Sequence, residues 1–213
     1  MVGCALGLAA CQSKTSTANQ PQFLTQKIYH APAQSYDFDL GSPLLRGELK
    51  LKEACSVTGS SLDITDQLQQ QVRIDTFNLN HHPQLGQQVE GDLKTIAPLI
   101  LSLYQNQYKS QAQNPKIYKS HIGDVVITRL NRDTNPIDLI IVKKYQYAYV
   151  LQLNTPLKAE SEENARQRML SLLKSLQIPG KHIVGNASTL PLSFDLSNGD
   201  SNARQNWQKT YCS

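Results

Sequence analysis

The sequence predicts an α+β domain in which a mostly antiparallel sheet carries helices packed on its faces. Three observations lead to this fold class. Apolar and polar residues alternate with a period of two in several separate segments, apolar residues recur at helical spacing in two longer segments, and turn sequences separate neighbouring alternating runs. Strands that follow one another through short turns pair antiparallel, because a parallel neighbour needs a long crossover.

Composition and charge favour one globular domain with a polar tail. The chain has 213 residues, of which 39% are hydrophobic and 18% are charged, and this length can bury a sizeable core. Its formal net charge of +4 is dispersed, with no run of Lys and Arg longer than two residues. A nucleic-acid partner is therefore not expected.

The first half of the chain contains several candidate strands. Residues 36–40 alternate Tyr, Phe and Leu with Asp, and residues 49–52 and 72–75 alternate in the same way. Between these strands, residues 58–61 are predicted as a turn. The polar run 61–67 that follows is predicted to begin a short helix.

The next segments are predicted to form a helix and two strands. Apolar residues recur at helical spacing over 93–110. With Thr95 as the N-cap, Pro98 would be the third helical residue, where the missing N–H costs no helical hydrogen bond. Residues 116–118 and 125–130 are predicted strands.

Residues 137–180 contain the strongest pattern. Two alternating runs, starting at Ile137 and Tyr147, predict neighbouring strands. Ser161 is the predicted N-cap of a helix that Pro179-Gly180 ends. Its predicted buried face consists of Ala165, Met169, Leu172, Leu173 and Leu176. Residues 192–196 then form another candidate strand.

Part of this region resembles a known fold family. A strand ending in Tyr-Ala-Tyr-Val-Leu-Gln-Leu (147–153) precedes a helix that closes on Leu-Leu-Lys-Ser-Leu-Gln-Ile-Pro (172–179). This arrangement is similar to the end of the PsbP/Mog1-like fold, and the resemblance covers Leu93 to Pro179. It implies an α+β domain of a kind that also occurs in bacterial lipoproteins, and it implies no catalytic residues.

The N-terminal segment resembles the processing signal of bacterial lipoproteins. Leu8-Ala9-Ala10-Cys11 is similar to a lipobox, in which cleavage before the cysteine leaves that cysteine to carry the lipid. The resemblance implies that Cys11 is acylated, and the residue after Cys11, which is not Asp, implies the outer membrane. The apolar run is too short to span a bilayer, which needs roughly 20 residues. The alternative is an ordinary buried N-terminal helix.

This resemblance also divides the chain. Residues 1–10 are predicted to be the remnant of a signal peptide, since they are fewer than the roughly 15 to 30 residues of a complete one. The polar residues 11–34 are predicted to be a lipid-anchored flexible tether. Residues 35–213 would then be a single α+β domain in the periplasm or at the cell surface.

The cysteine count is consistent with an oxidising compartment. With Cys4 removed and Cys11 acylated, Cys55 and Cys212 remain in the mature chain. An even pair in an oxidising compartment predicts a disulfide bond between them. The alternative is two separate free thiols.

No sequence motif predicts catalysis, a metal site or a cofactor. His81-His82 lies in a predicted loop without the partners of a zinc motif. Ser60 and Ser61 are not part of a Gly-x-Ser-x-Gly nucleophile elbow. We therefore expect no enzymatic activity, no catalytic residues, no bound metal and no cofactor.

The sequence favours a non-enzymatic envelope lipoprotein that binds another envelope component, protein or glycan, as an accessory factor. Two alternatives are a carrier of a small or lipidic ligand, and a hydrolase of envelope polymers. The candidate partner-binding residues are Lys143, Lys144 and Tyr145 at the end of a predicted hairpin, because aromatic residues are enriched at interfaces. The alternative is that this hairpin end is an ordinary solvated turn.

Overall fold

The computed structural model describes residues 24–25, 27–132, 135–154, 161–179, 192–195 and 201–211. The predicted lipidation site Cys11, the predicted disulfide partner Cys212 and the signal remnant 1–10 lie outside the described residues.

The described part of the chain contains strands and helices in a mixed order. The strands are β1 (Leu24–Thr25), β2 (Ile28–His30), β3 (Asp37–Asp39), β4 (Lys50–Ser56), β5 (Gly59–Thr65), β6 (Gln71–Asn78), β7 (Ala112–Ser120), β8 (Gly123–Leu130), β9 (Ile137–Lys144), β10 (Tyr147–Asn154), β11 (Leu176–Gln177) and β12 (Leu192–Asp195). The helices are α1 (Leu93–Tyr108), α2 (Glu162–Leu173) and α3 (Ser201–Tyr211).

These strands form two sheets. The large sheet has the order β12-β4-β5-β6-β10-β9-β8-β7, and the small sheet has the order β1-β2-β3-β11. Every pairing between described strands is antiparallel. The prediction of an α+β fold with mostly antiparallel sheets is therefore confirmed.

Alternate residues of β10 belong to two different hydrophobic clusters. Tyr149 and Leu151 share a cluster with Met169 of α2, whereas Ala148 and Val150 share one with Ile100 of α1. Successive side chains of a strand point to opposite sides of its sheet. The two clusters therefore lie on opposite sides of the large sheet.

The two long helices begin at side-chain caps, one of them at a different residue from the prediction. Ser161 caps α2, as predicted, and its Oγ accepts a hydrogen bond from the N–H of Asn164 at 3.2 Å. The prediction of Thr95 as the cap of α1 is wrong, because Asp92 Oδ1 accepts a hydrogen bond from the N–H of Thr95 at 2.9 Å. Pro98 consequently lies inside the helix, where it removes one main-chain hydrogen bond.

Three other segments differ from their predictions. Residues 61–65, predicted to begin a helix, belong to β5, because Leu62 and Ile64 are fully buried and both neighbouring strands pair with this one. Leu176, predicted on the helix, lies in β11 opposite Phe38. Residues 28–30, predicted within a flexible tether, form β2, and Tyr29 is fully buried there.

Candidate ligand-binding groove

α1 contacts part of the large sheet. This helix contacts β8 and β9, and its side chains extend as far as Tyr104, which reaches β6. On β5 and β6, the residues Ile64, Val72 and Ile74 belong to the cluster that contains Tyr149 and Met169. Strand alternation therefore places Asp63, Arg73 and Asp75 on the other side of the sheet, the side of the cluster that contains Ala148 and Val150.

The register of the sheet brings these polar residues together. Arg73 of β6 pairs with Asp63 of β5 on one side and with Gln152 of β10 on the other. Directly paired residues on one face of a sheet have Cβ atoms about 4.5–5.5 Å apart. The three side chains therefore form a row across neighbouring strands.

Asp75 is the buried centre of this polar cluster. Its Oδ2 accepts hydrogen bonds from Tyr104 Oη at 2.5 Å and Gln152 Nε2 at 2.6 Å, and its Oδ1 accepts one from Arg73 Nε at 2.8 Å. Burial raises the pKa of Asp75 above its usual value, while Arg73 and the Tyr104 hydroxyl oppose the rise. The carboxylate thus holds three neighbouring side chains in fixed positions.

Arg73 is also held by a second carboxylate. Its Nη1 lies 3.1 Å and 3.2 Å from the two carboxylate oxygens of Asp63. Burial lowers the pKa of Arg73, but Asp75 and Asp63 outweigh this effect and the pKa is raised. Within the described part of the chain, Nη2 has no hydrogen-bond partner. This nitrogen is available to a ligand.

A cavity of about 290 Å³ adjoins Arg73 at the C-terminal end of α1. Tyr108 lines it and donates a hydrogen bond to Gln152 Oε1 at 2.8 Å. The exposed Arg132 also lines it, with its guanidinium carbon 5.5 Å from the centre of the Tyr108 ring. Such a position allows a cation–π interaction.

A second cavity, of about 170 Å³, lies on the other side of Arg73. The residues that line it include Ser61, Arg73, Asp75, Phe77 and His82. Because Arg73 lines both cavities, they adjoin at this side chain. We call the two cavities together the polar groove.

His82 lines the second cavity, and its hydrogen bonds define its tautomer. Its Nδ1 lies 3.3 Å from the main-chain N–H groups of Gln84 and Leu85, which can only donate. Burial lowers the pKa of His82, so the neutral ring is favoured. The proton of the neutral ring is then on Nε2. The ring centres of Phe77 and His82 lie 5.4 Å apart, and the two rings meet edge-on.

Asp75 is not placed to act as a general base toward a ligand. Both oxygens of Asp75 already accept hydrogen bonds from fixed donors, and a general base needs an oxygen within reach of the substrate proton. Among the described residues, there is no group of three or more His, Cys, Asp or Glu that could hold a metal ion.

The site residues predicted from sequence lie elsewhere. Lys143, Lys144 and Tyr145 lie at the turn between β9 and β10, as predicted, and Tyr145 is 45% exposed. Lys144 Nζ lies 5.6 Å from the centre of the Tyr145 ring. None of the three lines either cavity of the polar groove.

Cys55 is buried in β4 and lines the second cavity. It is disulfide-bonded, and the other cysteines of the chain lie outside the described residues. Its strand pairs with β12, in which Leu192 is opposite Cys55.

Sequence reasoning missed the polar groove because its residues resemble an ordinary solvated strand face. Asp63, Arg73 and Asp75 each occupy the polar position of an alternating pattern. One signal was present in the sequence. Gln152 is a polar residue among the apolar residues of a strand that is buried on both faces. A buried amide needs hydrogen-bond partners.

Compared with family models, with characterised proteins and with solved structures, the chain gives no match. No helix among the described residues is both long enough and apolar enough to cross a membrane.

Proposed function

We propose that this protein is a non-enzymatic lipoprotein of the bacterial envelope that binds another envelope component in the polar groove. The acylated Cys11 anchors it to the outer membrane, and the α+β domain faces the periplasm or the cell surface. In this proposal α1 and α2 pack on opposite faces of the sheet, and α1 forms one wall of the groove.

The observation that carries the proposal is the fixed hydrogen-bonded floor of the groove. Asp75 holds Arg73, Tyr104 and Gln152, so these side chains do not have to be ordered when a ligand binds. Preorganisation of this kind lowers the entropic cost of binding.

The shape of the groove favours an extended ligand. Two cavities of about 290 and 170 Å³ adjoin at Arg73, so a chain-like molecule can occupy both while contacting the same arginine. The polar lining gives no support to the alternative of a lipid carrier, because pockets for apolar ligands are lined mainly by apolar side chains.

The hairpin residues Lys143, Lys144 and Tyr145 are a second candidate contact surface. Tyr145 is exposed and its φ of 52° is unusual for a residue other than glycine. Tyr147 and Tyr149, which follow on β10, are buried in the core. The surface that remains at this turn is small, so we assign the ligand to the groove.

Site-specific photo-crosslinking in intact cells tests the proposal. The full-length protein carries a photoreactive amino acid at Thr58 in the groove, at Tyr145 in the hairpin, or at the exposed Lys174 as a control. We expect adducts with an envelope component from position 58 and none from position 174. Adducts from position 145 alone would show that the hairpin is the binding surface, which would contradict the proposal.

A further inference from the structure

We infer that the ligand of the polar groove is an uncharged saccharide chain, recognised through its hydroxyl groups and by an aromatic side chain. This inference rests on the proposed function and identifies the class of its ligand.

The charges of the groove balance. The cations Arg73 and Arg132 are accompanied by the carboxylates of Asp63 and Asp75. Arg73 is already ion-paired with both carboxylates. A site that selects anions concentrates positive charge and leaves it without internal partners. The groove as a whole therefore carries no net charge, and Arg132 is a single exposed cation rather than part of a concentrated positive patch.

What remains is a mixed set of donors and acceptors. Arg73 and Arg132 line the first cavity, and both are hydrogen-bond donors. Gln71 Oε1 lies 3.4 Å from Asn154 Nδ2, which leaves the Gln71 amide nitrogen to donate and the Asn154 oxygen to accept. A hydroxyl group both donates and accepts. Neighbouring hydroxyls of a sugar therefore match this set better than a single charged group does.

Each cavity also has an aromatic side chain that is only partly buried. Tyr108 lines the first cavity and Phe77 lines the second. Aromatic rings offer large rigid apolar surface, which suits the C–H face of a sugar ring. The Tyr108 ring is already covered by Arg132 and stacked with Tyr104. Phe77 meets His82 and Tyr104 edge-on and is only partly buried, so it is the aromatic side chain that can offer ring surface to a sugar.

A peptide is a poorer match to this surface. Extended peptides bind sheets by adding a strand to an open edge, where main-chain groups supply the affinity. The groove lies across β5 and β6, and both edges of each strand are already paired. No strand edge in the groove is therefore open to a peptide.

Calorimetric titration of the full-length lipoprotein in detergent tests the inference. The probes are the neutral trisaccharides chitotriose, cellotriose and maltotriose, and the anionic trigalacturonate. We expect at least one neutral trisaccharide to bind with an affinity that changes little between low and high salt. We expect trigalacturonate to bind no tighter.

Two variants locate the binding. Phe77→Ala should weaken it by about 2- to 10-fold or more through lost ring contact. Arg132→Ala removes an exposed side chain that makes no ion pair in the described structure, so the fold should be retained while the affinity falls. Lys174→Ala, at the residue that follows α2, should bind like the original protein.

The outcomes separate the inference from the proposed function. Tighter, salt-sensitive binding of trigalacturonate would overturn the assignment to an uncharged saccharide. If no neutral trisaccharide binds while position 58 still forms crosslinks in cells, the saccharide assignment is wrong and the groove remains a binding site. If crosslinks at position 58 are also missing, both the saccharide assignment and the proposed binding function of the groove are wrong.

Discussion

Arg204 of α3 and Glu53 of β4 form a buried ion pair between residues that are 151 positions apart in the sequence. Nη2 lies 2.8 Å from Oε1 and Nε lies 3.0 Å from Oε2, and the Glu53 side chain is fully buried. Arg204 also donates to the main-chain oxygen of His30 at 3.0 Å, and the Tyr29 hydroxyl donates to Glu53. The C-terminal helix is thereby attached to the first strands.

Removal of Arg204 should strongly destabilise the fold. In Arg204→Ala the buried carboxylate of Glu53 loses its counter-charge, which should lower the free energy of unfolding by about 3–5 kcal/mol. Urea unfolding followed by circular dichroism measures this change. Arg46→Ala removes an exposed arginine and should change stability by less than about 0.5 kcal/mol.

A double variant tests whether the loss comes from the unpaired charge. Glu53→Gln with Arg204→Met removes both charges and keeps an acceptor for the Tyr29 hydroxyl, so much of the stability should return. If the double variant is as unstable as Arg204→Ala, the charge is not the cause.

The hydroxyl of Tyr104 should stabilise the fold more than that of Tyr108. Tyr104 donates to the carboxylate of Asp75, whereas Tyr108 donates to the neutral amide of Gln152. Tyr104→Phe should cost about 1.5–3 kcal/mol and Tyr108→Phe about 0.5–1.5 kcal/mol. Urea unfolding of both variants gives the comparison, and the opposite order would contradict the hydrogen-bond network around Asp75.

Alkaline pH should unfold the protein through its buried tyrosines. Burial raises the pKa of Tyr29, Tyr36 and Tyr104 well above its usual value, with nearby carboxylates adding to the effect. These un-ionised tyrosines contribute fully to the free energy of unfolding below about pH 10, which is the pKa of an unfolded tyrosine. Their contribution is lost as the pH rises through their folded-state pKa. Absorbance at 295 nm and circular dichroism should therefore change together. Ionisation of all nine tyrosines before any unfolding would exclude this coupling.

Cys55 is expected to form its disulfide with Cys212. The closed loop of roughly 158 residues would stabilise the fold by up to about 5 kcal/mol in the chain-entropy model. Mass spectrometry of a non-reduced digest should recover a linked pair of peptides containing these two cysteines. A linked pair containing Cys55 and a different cysteine, or free thiols at both positions, would exclude this bridge.

Acylation of Cys11 should anchor the protein to membranes. One acyl chain gives only marginal membrane binding, so the two or three chains of a lipoprotein are needed for a stable anchor. Expressed with its native upstream sequence, Cys11→Ala should appear in the soluble fraction, whereas the matched variant Cys4→Ala should remain with membranes. Membrane association of Cys11→Ala would disprove the lipid anchor.

The sequence alone determined the strands and helix starts whose signals are local. β9 and β10 were predictable because their apolar residues recur at the period of a strand, and α2 was predictable because Ser161 begins it. A period and a cap depend only on residues a few positions apart, so each can be recognised without knowing its neighbours in space.

Tertiary structure decided the remaining elements. Residues 61–65, predicted to begin a helix, belong to β5 because strands on both sides pair with them. Leu176, predicted on the helix, lies in the small sheet opposite Phe38. α3 was not predicted. The residue that attaches it, Arg204, is identified only by Glu53, which lies far away in sequence.

Only the register of the sheet assembled the polar groove. Arg73 meets Asp63 and Gln152 because β6 lies between β5 and β10 at one particular alignment. A shift of one residue would turn Arg73 towards the opposite, apolar side of the sheet. The groove therefore depends on pairings between distant segments, and no local pattern in the sequence specifies them.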